Sequence, residues 1–286
     1  MKMRHVPRKL WIAIAAAASL LPTASSAAGD GTAESFGTTW FGGVRAWVNS
    51  WDVPLGDSML VIPSPTTPSP ALKIVPTSRQ SNTEISAIPY VGIRAGNVSI
   101  SLAHQFETKY SVSDASNGIK RKETDITFGY AVLPGLTASV GFKEARISQT
   151  DTDHLAQSEG LKPAKVQVLL FGISGSAPLN SDWGIYGNVA YGPSRTKIDY
   201  GSLGNKFDGD YKIGEFGLSY RIPLGAASTV KSLTATMGYR SQVVKARNLP
   251  FPTYDLSTGA PVLQSLNPSS QTSTTQGLVF GLVGAF

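Results

Sequence analysis

The side chains that could perform chemistry in this sequence are few, and the densest group occupies residues 151–154, Asp-Thr-Asp-His. Carboxylates beside an imidazole can bind a divalent cation or assist an acid–base step. Asp208 and Asp210 form a second acidic pair, which has no neighbouring histidine. A solvated acidic loop explains residues 151–154 more simply, so we predict no metal ligand and no cofactor site there.

Histidine gives little support for nucleophilic catalysis. His104 lies between Leu102 and Phe106 on the apolar side of a predicted strand, where a neutral imidazole is the simpler interpretation. No serine stands two residues from His104 or His154, and a catalytic triad is defined by a geometry that spacing alone does not supply. We therefore predict no catalytic residue.

The first 27 residues have the layout of a secretory signal peptide. Four cations and no acid occupy residues 1–9, an apolar run follows at 10–21, and small residues stand at 25–27. The apolar run is too short to cross a bilayer as a helix, which needs about 20 residues. We predict that residues 1–27 are cleaved and that the chain is exported.

Cleavage would change the charge balance of the chain. Four of the 25 Lys and Arg residues lie in the signal segment, so 21 remain against 19 Asp and Glu, a net charge of +2. This balance removes the main support for a nucleic-acid partner, and we predict none. Because the chain has no cysteine, the exported protein must fold without disulfides.

Apolar and polar residues alternate with period two along the remaining chain, as in strands with one apolar face. The clearest case is the C-terminal segment, in which Leu278, Phe280 and Leu282 precede a terminal Phe286. This segment resembles the closing strand of Gram-negative outer-membrane β-barrels. The resemblance implies that Phe286, Phe280 and Leu282 form the assembly signal for the barrel-assembly machinery, with periplasmic chaperones and outer-membrane lipid and lipopolysaccharide as further partners.

The alternation predicts an all-β fold, a transmembrane antiparallel β-barrel of the small porin-like class. We count ten strands, with eight or twelve as alternatives, at 38–50, 83–95, 98–110, 124–133, 136–148, 164–175, 183–197, 211–222, 231–245 and 274–286. The connections alternate short and long, as periplasmic turns and extracellular loops do. Residues 28–37 would form a short periplasmic segment and residues 38–286 a single barrel domain in the outer membrane.

Charged side chains within the strands should face the lumen, because an Arg or Lys facing lipid at the midplane costs about 2–4 kcal/mol. The residues predicted to face the lumen are Arg45, Glu84, Arg94, Glu107, Asp125, Lys143, Lys165, Glu215, Arg221 and Arg240. Aromatic residues near the strand ends should mark the two membrane interfaces. Trp40, Tyr130, Trp183, Tyr220 and Phe286 would form the periplasmic belt, and Phe106, Tyr110, Tyr191 and Tyr239 the outer one.

Ten-stranded barrels include the omptin proteases, whose site has two acidic pairs at the extracellular rim, one of them Asp-x-His. Asp151 and Asp153 resemble one acidic pair, and Asp208 and Asp210 resemble another. The Asp-x-His pattern is missing from this sequence. We therefore expect the protein not to be an enzyme, and a hydrolase at the rim is the weakest of the functional hypotheses.

Two functional hypotheses remain. The first is a narrow porin-like channel for small polar solutes, since barrels of eight strands are filled by side chains and those of sixteen leave an open channel. The second is a non-conducting surface adhesin or structural protein that acts through its long loops. The proline-rich residues 54–76 fit a surface-exposed recognition loop, or more simply a stiff loop whose prolines prevent edge pairing.

Overall fold

A computed structural model describes residues 37–62, 71–112, 118–149, 163–198, 205–225, 228–247, 251–254, 261–264 and 270–286. It describes the backbone alone at residues 53–62, 71–79, 149, 198, 205, 251–254, 261–264 and 270–271. The predicted signal peptide, residues 28–36 of the predicted periplasmic segment and residues 151–154 lie outside the described residues. The part of the chain that is described holds no helix long and apolar enough to span a bilayer.

Thirteen strands make up the described secondary structure. They are β1 (Thr38–Ile62), β2 (Ala71–Gln80), β3 (Glu84–Ala95), β4 (Val98–Tyr110), β5 (Ile119–Leu133), β6 (Leu136–Gln149), β7 (Ala164–Pro178), β8 (Trp183–Ile198), β9 (Asn205–Ile222), β10 (Ser232–Arg247), β11 (Phe251–Tyr254), β12 (Pro261–Gln264) and β13 (Ser270–Ala285).

Ten of these strands close into an antiparallel barrel. β1 and β3 to β10 pair in sequence order, and β13 pairs with both β10 and β1. The ladder between β1 and β13 runs from Phe41 opposite Ala285 to Asp52 opposite Thr274, so no edge is left open along this seam. The predicted ten-stranded antiparallel barrel is therefore confirmed.

Short connections and both ends of the barrel chain lie together at one end of the barrel. Gly96 and Gly135 occupy the tight turns after β3 and β5 with φ of 56° and 75°, a backbone conformation that L side chains rarely adopt. The three longest connections, from β1 to β3, from β6 to β7 and from β10 to β13, all lie at the opposite end. This is the arrangement of short periplasmic turns and long extracellular loops, and we call the second end the outer end.

Most strands are longer than the sequence pattern predicts, and most of the extensions are at the outer end. β7 is the exception, since it ends at Pro178 rather than at residue 175, at the end with the short turns. β5 begins at Ile119 rather than at residue 124, and β9 begins at Asn205 rather than at residue 211. β1 continues to Ile62, where its last ten residues leave the barrel and pair with β2. Charged residues on both faces hide such extensions from a pattern search, because a strand that has left the hydrocarbon no longer needs an apolar outer face.

Side chains alternate between the lumen and the outer wall along each barrel strand. The outer wall exposes large apolar residues on nearly every strand, among them Val44, Ile100, Phe171, Phe216 and Leu282. Polar and charged side chains are buried on the inner side. An apolar exterior around a polar interior is the inverse of a soluble protein and fits a barrel that is surrounded by lipid.

Phe286 follows the closing strand directly. Its backbone N–H donates a hydrogen bond of 2.8 Å to the carbonyl oxygen of Trp40, and its ring is exposed on the outer wall. The last residue of the barrel chain thus fastens β13 to the start of β1. Whether assembly factors recognise this residue remains a prediction.

We predict that Phe286→Ser reduces the amount of folded protein in the outer membrane. The substitution removes the aromatic ring at the membrane interface and weakens a strand whose unpaired backbone groups would each cost several kcal/mol in lipid. Phe251→Ser, at the start of the peripheral strand β11, is the matched control and should reach the outer membrane normally. Fractionation that finds both variants equally abundant there would contradict the role of Phe286.

Candidate functional site

The lumen holds two ionic clusters, and the first is centred on Glu215 of β9. Arg240 of the neighbouring strand β10 and Arg45 of β1 both approach Oε2 of Glu215, with Nη1 at 3.5 and 3.2 Å. All three side chains are buried. Because β13 and β10 separate β1 from β9, the Arg45 side chain reaches Glu215 across the lumen. We call these three residues the Glu215 cluster.

The second cluster is formed by β5 and β6. Nζ of Lys143 lies 2.6 Å from Oε2 of Glu123 and 2.8 Å from Oδ1 of Asp125. Arg121 donates from Nε to Oε1 of Glu123 at 2.8 Å and also contacts this oxygen through Nη2. We call Arg121, Glu123, Asp125 and Lys143 the Glu123 cluster.

Arg121 also connects the Glu123 cluster to the opposite wall. Its Nη2 donates to Oε1 of Gln242 on β10 at 2.7 Å, and its Nη1 donates to Oγ1 of Thr275 on β13. These partners are 121 and 154 residues away in the sequence. The interior contacts therefore join strands that are not neighbours in the sheet.

The two clusters contain four cations and three carboxylates, and each of the four cations also lies over an aromatic ring. The distances to the ring centroids are 5.6 Å from Arg45 to Tyr90, 5.1 Å from Arg121 to Trp51, 5.7 Å from Lys143 to Tyr211 and 5.0 Å from Arg240 to Trp47. Cation–π contacts strengthen when the partners are desolvated. The rings thus help to stabilise the net charge of +1 that the four cations and three carboxylates leave in the lumen.

A neutral hydrogen-bonded group ties β1, β3 and β4 together around Ser86. The Oγ of Ser86 accepts from Oγ1 of Thr108 at 2.9 Å and lies within 3.3 Å of polar atoms of Asn49, Gln105 and Tyr110. The Tyr110 hydroxyl donates to Oδ1 of Asn49 at 2.8 Å. Ser86 and Tyr110 are fully withdrawn from solvent.

Apolar side chains pack inside the lumen towards the outer end. One group lies on β6 to β9 and comprises Ala145, Val166, Val168, Leu170, Ala190, Tyr211 and Ile213. A second group comprises Trp51, Tyr110, Val112 and Ile119, and Ile147 packs against both. This part of the interior is packed like the core of a soluble protein.

The lumen is therefore occupied by side chains of the barrel strands. Lys143 and Trp51 retain 1% and 2% of their exposure, and Glu123 retains 2%. A side chain that lines an open aqueous pore would keep contact with solvent, and these do not. Gly238 shows how tight the fit is, since a Cβ atom there would lie 2.5 Å from the Tyr186 hydroxyl oxygen.

Most residues predicted to face the lumen do lie on inward-facing positions. Arg45, Lys143, Glu215 and Arg240 are buried in the two clusters, and Asp125 is half-buried beside Lys143. Glu84 and Arg94 are half-buried near opposite ends of β3. Arg221 has the inward register but is exposed at the end with the short turns.

Glu107 is an exception, because it lies on the outer wall rather than in the lumen. A β-bulge between Gln105 and Thr108 shifts the alternation of β4 by one residue. Glu107 is consequently exposed and pairs with Lys120 at 2.9 Å. The same bulge turns Tyr110, which the sequence placed in the outer aromatic belt, into the lumen.

Lys165 also lies on the outer wall, where its Nζ is 2.7 Å from Oε2 of Glu144. The prediction that it faces the lumen failed because β7 is apolar on both faces, with Val166 and Val168 inward and Leu169 outward. Such a strand has no alternation that sets its register. Near the outer end of β7, a lysine can face outward without entering the hydrocarbon.

The sequence analysis missed Arg121 and Glu123, which are central to the second cluster. The strand prediction began at residue 124 and left both residues in a loop. The signal that could have identified them is the inward alternation of Arg121, Glu123 and Asp125, which continues that of Thr127.

The residues considered for chemistry do not converge on one site in the described part of the chain. His104 faces the outer wall, where its Nδ1 lies 2.9 Å from Oγ1 of Thr124. Asp208 and Asp210 also face outward and contact Arg195 and Arg247. Among the described residues, no three His, Asp or Glu side chains are grouped as metal ligands.

No family model and no curated protein matches this chain. Several solved structures match at low identity. The outer-membrane protease OmpT of Escherichia coli is 10% identical, with coverage of 87% of this chain and 97% of that one and a TM-score of 0.44. The translocator domain of the autotransporter NalP of Neisseria meningitidis is 12% identical, with coverage of 88% and 90% and a TM-score of 0.40.

A third solved structure is the toluene transporter TbuX of Ralstonia pickettii, 8% identical, with coverage of 88% of this chain and 90% of that one and a TM-score of 0.32. The names of these three proteins describe a protease, a translocator and a transporter. An activity therefore cannot be taken from any of them, and it has to be argued from the side chains of this chain.

Proposed function

We propose that this protein is an outer-membrane barrel that does not conduct solutes and that acts at the cell surface through the segments projecting from its outer end. The observation that carries the proposal is the burial of the charged side chains in the lumen. Lys143 and Arg121 both contact Glu123 and an aromatic ring, Arg121 also reaches the opposite wall, and all three side chains are buried. A path for polar solutes would have to break these contacts.

The alternative hypothesis of a narrow channel requires a continuous polar path. Two features of the lumen, at different levels along the barrel, would each block such a path. The ionic clusters span the barrel, and the apolar groups around Val168 and Trp51 fill the lumen towards the outer end. An apolar constriction excludes water and ions even where its radius would admit them.

The projecting segments favour a role at the surface. The last ten residues of β1 pair with β2 and not with a barrel strand, so this hairpin extends about 33 Å along its strands at 3.3 Å per residue. A second hairpin, β11 with β12, lies in the connection between β10 and β13. Regular hairpins on a filled barrel form a stiff platform that could present a recognition surface.

The closed lumen leads to a prediction for conductance. The refolded full-length barrel should give a current indistinguishable from that of lipid alone in planar bilayers, because buried side chains block the lumen. Protease protection of the same preparation would verify insertion. Stepwise single-channel currents from inserted barrels would refute the non-conducting proposal and support the channel hypothesis.

A second prediction tests whether the interior charges hold the barrel together. Glu123→Gln removes the carboxylate shared by Arg121 and Lys143 and should lower the free energy of unfolding by about 3–5 kcal/mol, since it leaves buried charge uncompensated. Asp208→Asn is the matched control, because Asp208 is exposed and pairs with Arg195 at 3.4 Å. Its effect should stay within about 0.5 kcal/mol. Equal stability of the two variants in urea titrations would show that the Glu123 cluster is not structural.

A third prediction concerns the β1–β2 hairpin. Replacing residues 63–70 by Asn-Gly should abolish attachment of cells carrying the protein to a surface, while the two-residue turn keeps Ile62 paired with Ala71. The matched control replaces residues 255–260, between β11 and β12, in the same way. Cell counts after washing would measure attachment. Unchanged attachment with the first replacement would exclude residues 63–70 from the function.

A further inference from the structure

The outer wall of β8, β9 and β10 carries a dense group of cations at the outer end of the barrel. Six of them face outward: Arg195, Lys197, Lys206, Lys212, Lys245 and Arg247. We call these six residues the basic collar. Two acids, Asp208 and Asp210, lie among them, so the net charge of this patch is +4.

Aromatic residues on the same strands show where the collar lies relative to the lipid. Trp183 and Tyr220 pack together at the end with the short turns, with ring centroids 4.9 Å apart. Phe216 and Tyr239 form a second aromatic pair within the apolar band, with ring centroids 6.2 Å apart.

β9 rises about 25 Å over the ten residue steps from Ile222 to Lys212, at 3.3 Å per residue and a tilt of 35–45°, which is the height of the apolar band of such a barrel. The collar therefore begins at the outer edge of that band, at the depth of lipid headgroups, where Tyr191 lies opposite Lys212.

Lys212 is the collar cation nearest the apolar band, and neighbouring side chains hold it in place. Nζ of Lys212 lies 5.9 Å from the ring centroid of Tyr191, and the Tyr191 hydroxyl donates to Oδ1 of Asp210 at 2.9 Å. Asp210 also contacts Arg247. Asp208 and Asp210 thus contact Arg195, Tyr191 and Arg247, and Lys245 lies directly opposite Asp210 in the ladder. The patch still holds four more cations than acids.

The lysines of the collar are arranged against one another. Lys197 lies directly opposite Lys206 in the ladder between β8 and β9. Lys212 and Lys245 are diagonal neighbours, since Lys212 is opposite Val243 and Lys245 is opposite Asp210. In the described part of the chain none of these four lysines has an acid within 4.0 Å. Like charges directly opposite each other, as Lys197 and Lys206 are, destabilise a sheet, and a bound anion would reduce their repulsion.

We propose that the basic collar binds the phosphate groups of a phosphorylated glycolipid of the outer leaflet, the lipopolysaccharide of the surrounding membrane. A phosphate between Lys212 and Lys245 would remove their repulsion and accept hydrogen bonds from both ammonium groups. The acyl chains of the same molecule would lie along Phe216, Leu218 and Met237, which are exposed on the wall below. The collar and the apolar wall next to it therefore match a ligand that carries both phosphate groups and acyl chains.

A lipid fits the collar better than an acidic protein partner does. The cations are on the outer wall and adjoin the apolar band, so a protein could reach Lys212 only by displacing lipid headgroups. The end of the barrel with the short turns has no comparable group, since its exposed charges on β9, β10 and the turns are Arg221, Lys231 and Asp182 in the described residues.

The test compares two double variants of the refolded full-length barrel in neutral detergent. Lys212→Ser with Lys245→Ser removes two collar cations, and Arg221→Ser with Lys231→Ser removes two cations from the other end. Each barrel is titrated with bisphosphorylated lipid A, and binding is measured by native mass spectrometry. Dephosphorylated lipid A, inorganic phosphate and a polyglutamate peptide are the competing probes, and thermal unfolding without lipid verifies folding.

We expect the collar variant to bind bisphosphorylated lipid A at least about tenfold more weakly than the wild type, because it lacks two of the cations that attract the phosphate groups. The control variant should keep its affinity, and the collar variant should unfold no more readily than the wild type. Equal affinities for the two variants, or equally tight binding of dephosphorylated lipid A, would overturn the proposal. Displacement of lipid A by inorganic phosphate or by polyglutamate would overturn the assignment to a lipid.

Discussion

The structure depends on the pairing of β13 with β1, because hydrocarbon offers no hydrogen-bonding partner to an open strand edge. Closure alone allows the outer wall to be apolar and leaves the interior for polar side chains. The closing strand also makes room for them. Gly281 faces inward beside Arg45, and a Cβ atom there would lie 2.5 Å from Oγ1 of Thr236 and 3.4 Å from Cγ of Arg45. A bulkier residue would impede the side chain that reaches across the lumen to Glu215.

The energetics of the interior differ from those of an apolar core. Moving ions out of water carries a large penalty, and replacement of a buried ion pair by apolar residues is often neutral or stabilising. Net stabilisation alone therefore does not explain why the lumen contains two ionic clusters. Their contacts join β1 to β9 and β5 to β10, so a barrel with shifted register would leave buried charges unpaired. The clusters thus favour this register over its alternatives.

The sequence predicted the fold well and the interior only in part. The period-two alternation and the alternation of short and long connections were enough to predict ten strands, because a wall that faces lipid must be apolar at every second residue. The alternation failed where that constraint was weak, at the bulge before Thr108 and on β7, which is apolar on both faces. It could not predict which charges meet, since Arg45 and Glu215 are separated by 170 residues and approach each other only after the barrel closes.

The two ends of the barrel place different demands on the chain. At the end with the short turns, the β3–β4 and β5–β6 connections have only two residues each, and Gly96 and Gly135 supply the backbone conformation that these turns need. At the outer end the ladder continues beyond the apolar band, and apolar groups around Val168 and Trp51 pack inside it. A channel would gain nothing from a filled outer half, since each buried ring there obstructs its path. A platform for surface hairpins gains rigidity from the same packing, because strands supported by a core bend less than strands around water. The interior packing and the projecting β1–β2 hairpin therefore both favour the proposed role at the surface over a channel.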